Sequence, residues 1–170
     1  MIAYRNDWVS ARFRIAGGAA AIQPEDFTMP LIAITYASTR RSPSLKKEIA
    51  DTVTDLTARI LRKDPKVTAV IVSEADAANW FAGGASLAEQ GLASYWIDVH
   101  VSDGTNTKDE KAAYLAAVFA RMAELIGPLH NETYLHVDEV KADAYGFGGL
   151  SQERRYVAAQ LGVSPQRGAA

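Results

Sequence analysis

Residues 30–84 read PLIAITYASTRRSPSLKKEIADTVTDLTARILRKDPKVTAVIVSEADAANWFAGG, and residues 95–149 read YWIDVHVSDGTNTKDEKAAYLAAVFARMAELIGPLHNETYLHVDEVKADAYGFGG. The two blocks superpose without a gap at a constant shift of 65 positions, with ten of 55 pairs identical. Identity that sparse says little by itself. The shared order of features says more: an apolar β-like run, a polar turn, an amphipathic stretch, a second β-like run closing on Glu, a short polar loop, an aromatic residue and Gly-Gly. Matched punctuation at fixed spacing is the mark of internal duplication.

Each block reads as β-α-β. Leu31 to Ala37 is rich in β-branched and aromatic residues, as a strand requires. Ser42 is the expected N-cap, with Pro43 at the first helical position, where a missing N–H costs nothing. Leu45, Ile49, Val53, Leu56 and Ile60 recur at steps of three and four and give one apolar helix face. Val67 to Ser73 is the return strand. In the second block Trp96 to Val101 is the strand, and Thr107 with Glu110 forms a capping box. Leu115, Val118, Phe119, Met122, Leu125 and Ile126 make the expected buried stripe. Thr133 to Val137 closes the unit.

Parallel strands joined by a helix take a right-handed crossover. Two such units side by side predict an α+β fold: a four-stranded sheet with two helices on one face. The other face is expected to be bare and apolar, which calls for covering by self-association. A ferredoxin-like barrel is the competing architecture, and it requires antiparallel neighbours within each repeat.

Composition bounds the function. The 170 residues carry a net charge of −2 and no cysteine. No sequence-wide basic field asks for nucleic acid or an anionic membrane. Disulfides, thiolate metal sites and Cys nucleophiles are excluded, and the chain suits a reducing, cytoplasmic setting. No apolar run approaches a transmembrane span. His100, His130 and His136 lack metal-ligand spacing on one face and read as structural, and Gly146 to Gly149 lacks the Lys-Ser/Thr of a phosphate loop.

The domain reading has three parts. Residues 1–28 form an N-terminal extension, read as a miscalled start, a removed propeptide, or an arm whose Tyr4, Trp8, Val9, Phe13 and Ile15 pack on a neighbour. Residues 29–150 hold the duplicated domain. Residues 151–170 form a tail, in which SQERRYVAAQLG is able to make a short helix.

MPLIAITY at 29–36, Arg40 ten positions after Pro30, VIVSE at 70–74 and NWFAGG at 79–84 together resemble the tautomerase superfamily, in a fused two-repeat form of its 4-oxalocrotonate tautomerase branch. The resemblance implies catalysis by the secondary amine of an N-terminal proline, here Pro30, with no cofactor and no metal. An α-amino group titrates at roughly 7.7–8.0, and an apolar pocket with nearby cations lowers it further, giving a neutral base that moves a proton α to a carbonyl. A proline within a chain is an amide and cannot do this. The chemistry therefore depends on whether the chain begins at Pro30.

The resemblance also assigns Arg40 to a substrate carboxylate, through its planar guanidinium fork, and Trp80 to the aromatic wall of the pocket. It implies a small carbonyl or carboxylate substrate, such as a 2-oxo or 2-hydroxy acid, and a homotrimer with the Gly-Gly hairpins reaching neighbours. This sequence departs from the branch at the second arginine, where Ala69 stands, with Tyr134 in the other repeat. Tyr134 is expected to supply a neutral hydrogen bond instead. Tyr95 holds the Pro position of the second repeat, so that half carries no proline base. Two alternatives stand beside the isomerase: a superfamily dehalogenase, hydratase or decarboxylase, of which the hydrolytic members usually carry an arginine pair where this chain has the arginine-free HVSDGTNTKDEK at 100–111, and a silent oligomer with Pro30 blocked by the extension.

Overall fold

A computed structural model describes residues 29–165. The expectations for the extension at 1–28 lie outside the described residues. In chain order the elements are β1 (Leu31–Ala37), α1 (Leu45–Leu61), β2 (Ala69–Glu74), the hairpin β3 (Phe81–Ala82) and β4 (Ala85–Ser86), α2 (Leu87–Gln90), β5 (Ser94–Ser102), α3 (Lys108–Ile126), β6 (Tyr134–Val140), the hairpin β7 (Gly146–Phe147) and β8 (Leu150–Ser151), and α4 (Gln152–Gln160).

The four long strands form one sheet in the order β2-β1-β5-β6. β1 and β2 are parallel, β5 and β6 are parallel, and the central pair β1 and β5 is antiparallel. Parallel neighbours within each repeat exclude the ferredoxin-like alternative. The shift of 65 holds beyond the two blocks. The hairpins repeat at that spacing, and so does the hydrogen bond from the residue after each: Leu87 N to the Trp80 carbonyl, and Gln152 N to the Tyr145 carbonyl, both 2.8 Å. The antiparallel central pair makes the repeats related by an approximate twofold.

Both long helices pack on one sheet face. Ile49, Val53, Thr57 and Leu61 of α1 and Tyr114, Val118, Met122 and Ile126 of α3 are buried, position for position at the shift of 65. The expected α3 stripe is thus corrected: Leu115 and Phe119 are 41% and 43% exposed, and Tyr114 takes the inner place. A buried tyrosine needs a partner for its hydroxyl, and Thr57 of α1 supplies it at 2.9 Å. Ile32, Ile34 and Tyr36 of β1 and Tyr95, Ile97, Val99 and Val101 of β5 complete the layer between sheet and helices. All the buried hydrophobic residues of this described core lie between Ile32 and Ala158.

Helix α1 starts later than expected, with Ser44 rather than Ser42 at the N-cap. Pro43 sits in a preceding turn, closed by Leu45 N on the Ser42 carbonyl at 3.2 Å. The capping box of Thr107 and Glu110 forms as expected, and the tail contains the helix α4. No helix of the described residues is long and apolar enough to cross a membrane.

The other sheet face is bare, with Ile71 56% exposed, but only half of it is apolar. β1 and β2 present Leu31, Ala33, Thr35, Ala69, Ile71 and Ser73. β5 and β6 present the cross-strand pairs Trp96–Tyr134, Asp98–His136 and His100–Asp138. The expectation of an apolar face fails there because each polar group has a partner opposite it. Asp98 accepts from Trp96 Nε1 at 2.8 Å and lies 3.0 Å from His136 Nδ1.

Candidate functional site

Pro30 is buried directly before β1. Its carbonyl accepts from Ala69 N at 3.0 Å, which ties the start of β2 to it. Because β5 runs antiparallel to β1, the hairpin that follows β6 arrives at this end of β1. That hairpin is tight for two reasons. Gly148 and Gly149 have φ of 57° and 81°, the left-handed pair that a two-residue turn requires. A Cβ on Gly146 would stand 2.3 Å from the Leu150 carbonyl oxygen.

The result is an apolar cavity of about 140 Å³ in which Met29, Pro30 and Ala69 meet Tyr145, Phe147 and Gln152. Tyr145 Oη donates to the Met29 carbonyl at 2.7 Å and lies 3.4 Å from the His100 carbonyl. Burial pushes the Tyr145 phenol above its ordinary pKa, against a smaller opposing effect of a backbone hydrogen bond, so it is a donor at neutral pH. The guanidinium of Arg155 stands 3.6 Å over the Phe147 ring and donates to the Phe147 carbonyl at 3.0 Å. No carboxylate lines this cavity. No group of three or more His, Cys, Asp or Glu suited to a metal occurs among the described residues.

Arg40, Trp80 and Tyr134 lie elsewhere. Arg40 follows the far end of β1, roughly 20 Å from Pro30 at a strand's rise of about 3.3 Å per residue. It is exposed, and its Nη1 donates to the Glu124 carbonyl. Its loop is pinned by Ser38 Oγ and Thr39 N on the Ile126 carbonyl, at 3.0 and 3.1 Å. A broad cleft of about 780 Å³ opens there, lined by Arg40, Arg41, Lys46, Glu74 and Asp76 among others. Trp80 is half-buried against the small cluster of Ala37, Ala82 and Leu87, also past that end. Tyr134 starts β6 on the bare face, paired with Trp96. It donates to the Glu132 carboxylate, and this bond, with the carboxylate's charge, raises its phenol pKa.

A single chain therefore holds Pro30 at one end of the sheet and Arg40, Trp80 and Tyr134 at the other. Tyr145, Phe147 and Gln152 beside Pro30 are additions that the sequence reading missed. The signal for them was present: Tyr145 stands 65 positions after Trp80, and a twofold between the repeats sends each hairpin to the other repeat's first strand.

The family model described as tautomerase enzyme matches residues 30–90. No curated protein matches the sequence. Among solved structures, a symmetric trimer of wild-type fused 4-OT is similar at 18% identity and a TM-score of 0.62, over 72% of this chain and 96% of that one. A macrophage migration inhibitory factor-like protein from Entamoeba histolytica is similar at 19% identity and a TM-score of 0.57, over 69% of this chain and 94% of that one. FG41 malonate semialdehyde decarboxylase, inhibited by 3-bromopropiolate, is similar at 23% identity and a TM-score of 0.57, over 79% of this chain and 99% of that one.

Proposed function

We propose, from the match of residues 30–90 to the tautomerase family model and from the fold shared with fused 4-OT structures, that this chain is a tautomerase-superfamily enzyme whose base is the amine of Pro30, in the chain that begins at that residue. The reaction is keto-enol tautomerisation of a small 2-oxo or 2-hydroxy acid. The observation that carries this reading is the position of Pro30, buried in an apolar cavity and closed by the hairpin of the second repeat. Such surroundings disfavour a charged amine and keep it neutral near physiological pH. The neutral nitrogen takes the proton α to the substrate carbonyl, and the prolinium returns it to the enolate oxygen; ketonisation of an enol runs the same two transfers in reverse.

Arg40 is proposed to bind the substrate carboxylate, Trp80 to wall the pocket and Tyr134 to donate to it. Since these three lie a strand's length from Pro30 of their own chain, the complete site requires a neighbouring copy. A homotrimer supplies one, and trimers are described for fused 4-OT structures of similar fold.

A hydrolytic or hydrating activity needs a carboxylate to activate water, and the Pro30 cavity has none among its lining residues. Loss of CO₂ from a 3-oxo acid is the second reading, and carbon dioxide release separates it from isomerisation. With residues 1–28 attached, Pro30 is an amide, and the protein is silent at this site.

The test is turnover of phenylpyruvate enol and 2-hydroxymuconate by the protein started at Met29, with removal of that Met verified by mass. The expected pH–rate profile has a basic limb that rises with an apparent pKa at or below that of an ordinary α-amine. Pro30→Ala keeps a primary, less constrained amine and is expected to lose activity in part. Full activity in Pro30→Ala would rule the proline out.

A further inference from the structure

On the reading that Pro30 is the base, we infer that Tyr145 is a catalytic hydrogen-bond donor that holds the substrate's carbonyl oxygen during proton transfer, at the place now taken by the Met29 carbonyl. The geometry starts from one bond. Tyr145 Oη donates to the Met29 carbonyl oxygen at 2.7 Å. That oxygen is separated from the Pro30 nitrogen by the width of one peptide unit, about 2.3 Å from standard bond lengths. The phenol oxygen consequently stands within about 5 Å of the nitrogen, with one carbonyl group between them.

When the chain begins at Pro30, the Met29 carbonyl is gone. The space that Met29 filled then opens between a proton donor and an amine, and it is offered to a substrate carbonyl. The oxygen of a 2-oxo acid takes the phenol's hydrogen bond, while the carbon next to the carbonyl meets the amine. Removal of the α-proton by Pro30 forms the N–H bond and breaks the C–H bond. The electron pair moves into the carbonyl, and the negative charge grows on the oxygen that Tyr145 holds. The phenol keeps its proton throughout; the prolinium delivers its proton to the enolate oxygen to give the enol, and in the reverse direction, the one assayed with an enol, the amine takes the enol O–H proton and returns it to the α-carbon. A donor aimed at developing oxyanion charge in a water-poor cavity strengthens in the transition state.

Three further observations fit this assignment. The His100 carbonyl, 3.4 Å from Tyr145 Oη, is an acceptor for the hydroxyl while no substrate is bound, and the phenol's single hydrogen turns to the substrate oxygen on binding. The ring is anchored by its own backbone, since the Tyr145 carbonyl accepts from Gln152 N at 2.8 Å. The residue beside Pro30 on the neighbouring strand is Ala69, where the resembled branch carries its second arginine. Tyr145 thus supplies, from the same chain, a donor that position 69 cannot.

The described core and the whole sheet lie downstream of Pro30, so the chain begun there retains the fold. With phenylpyruvate enol as substrate, Tyr145→Phe in this chain is expected to lower kcat about 100-fold with KM changed less than about threefold. A purely structural role would move stability instead. In the full chain Tyr145→Phe loses the Met29 bond and lowers Tm. In the chain begun at Pro30 that bond does not exist, and Tm falls less while kcat collapses.

A second readout does not use turnover. Phenylglyoxylate has a keto group but no α-proton. Added to the Pro30-start protein labelled with [4-13C]tyrosine, it is expected to shift the Tyr145 resonance saturably, and in the full chain to leave it unmoved. An unmoved Tyr145 resonance in the Pro30-start protein, or a Tyr145→Phe protein within twofold of the parent kcat, overturns the inference. If the Pro30-start protein turns over enols, depends on Pro30 and tolerates Tyr145→Phe, only the role of Tyr145 falls. If it turns over no enol at all, the proline reading falls and takes this inference with it.

Discussion

Tyr114 Oη and Thr57 Oγ1 lie 2.9 Å apart in the buried seam between α1 and α3. Thr57 spends its only hydroxyl hydrogen on the Val53 carbonyl at 2.7 Å, so Tyr114 is the donor of the pair. Thr57→Val leaves a buried phenol hydroxyl unsatisfied and is expected to cost about 1–3 kcal/mol, whereas Tyr114→Phe leaves Thr57 bonded to Val53 and costs about 1 kcal/mol or less. Urea denaturation measures both, and equal stability of Thr57→Val and wild type contradicts the assignment. Burial also pushes the Tyr114 pKa up to about 12. The unfolded tyrosine ionises first, near about 10, so this contribution is complete below that pH and is lost as pH rises towards 12. Tyr114→Phe should flatten that alkaline loss.

Asp98 answers to acid. Burial pushes its carboxyl up, but hydrogen bonds from Trp96 and His136 and the nearby imidazoles outweigh this and hold its pKa below the usual carboxylate value. A depressed folded pKa stabilises above the unfolded pKa, about 3.9 for Asp, and the contribution disappears as pH falls through the folded value. Asp98→Asn should therefore show a shallower loss of stability below about pH 4. The side chain is 31% exposed, so the expected effect is under about 1 kcal/mol. An unchanged acid limb in chemical denaturation contradicts the pairing.

Gly127 seats the loop that carries Arg40. It has φ of +108°, and a Cβ there would stand 2.1 Å from Thr39 Oγ1. Gly127→Ala combines a disfavoured backbone with a clash and is expected to cost about 2 kcal/mol or more. It should also raise KM for carboxylate substrates by displacing Arg40. A Gly127→Ala protein with wild-type melting and KM would show that the loop accommodates the methyl group.

Separation of Pro30 from Arg40 along one chain predicts complementation. Pro30→Ala and Arg40→Ala proteins, each started at Met29, should both be weak on a 2-oxo acid. Unfolded together and refolded, they should regain activity in about a quarter of the sites, by random assortment within a closed ring. Activity no higher than the average of the two parents would mean that Arg40 does not reach a neighbour's Pro30.

The fold was legible because the same period carried it twice. Runs rich in β-branched and aromatic residues, such as Leu31 to Ala37, and the Thr107–Glu110 capping box marked the elements, and the shift of 65 set their order. The α3 stripe was misread because hydrophobicity alone favours Leu115 and Phe119 over Tyr114, whose burial depends on a hydroxyl supplied by Thr57 from another helix. The polar half of the open face was hidden for a related reason. Asp98 and His136 are 38 positions apart, and only strand register makes them partners. At the site, Pro30 and Arg40 were readable as local spacing. Tyr145 was marked only by its place 65 positions after Trp80, and its closeness to Pro30 follows from the antiparallel pairing of β1 with β5.

The central claim is that catalysis depends on a free amine at Pro30, and the most direct measurement compares two intact proteins on phenylpyruvate enol. One begins at Met1. The other is started at Met29 and processed to Pro30, and mass spectrometry fixes both N-termini. An amide nitrogen cannot accept a proton whatever the pocket does around it. The account predicts an active short protein and a long protein slower by about 100-fold or more, the range general base catalysis supplies. Equal rates from the two proteins, with residues 1–28 verified as attached, would contradict it.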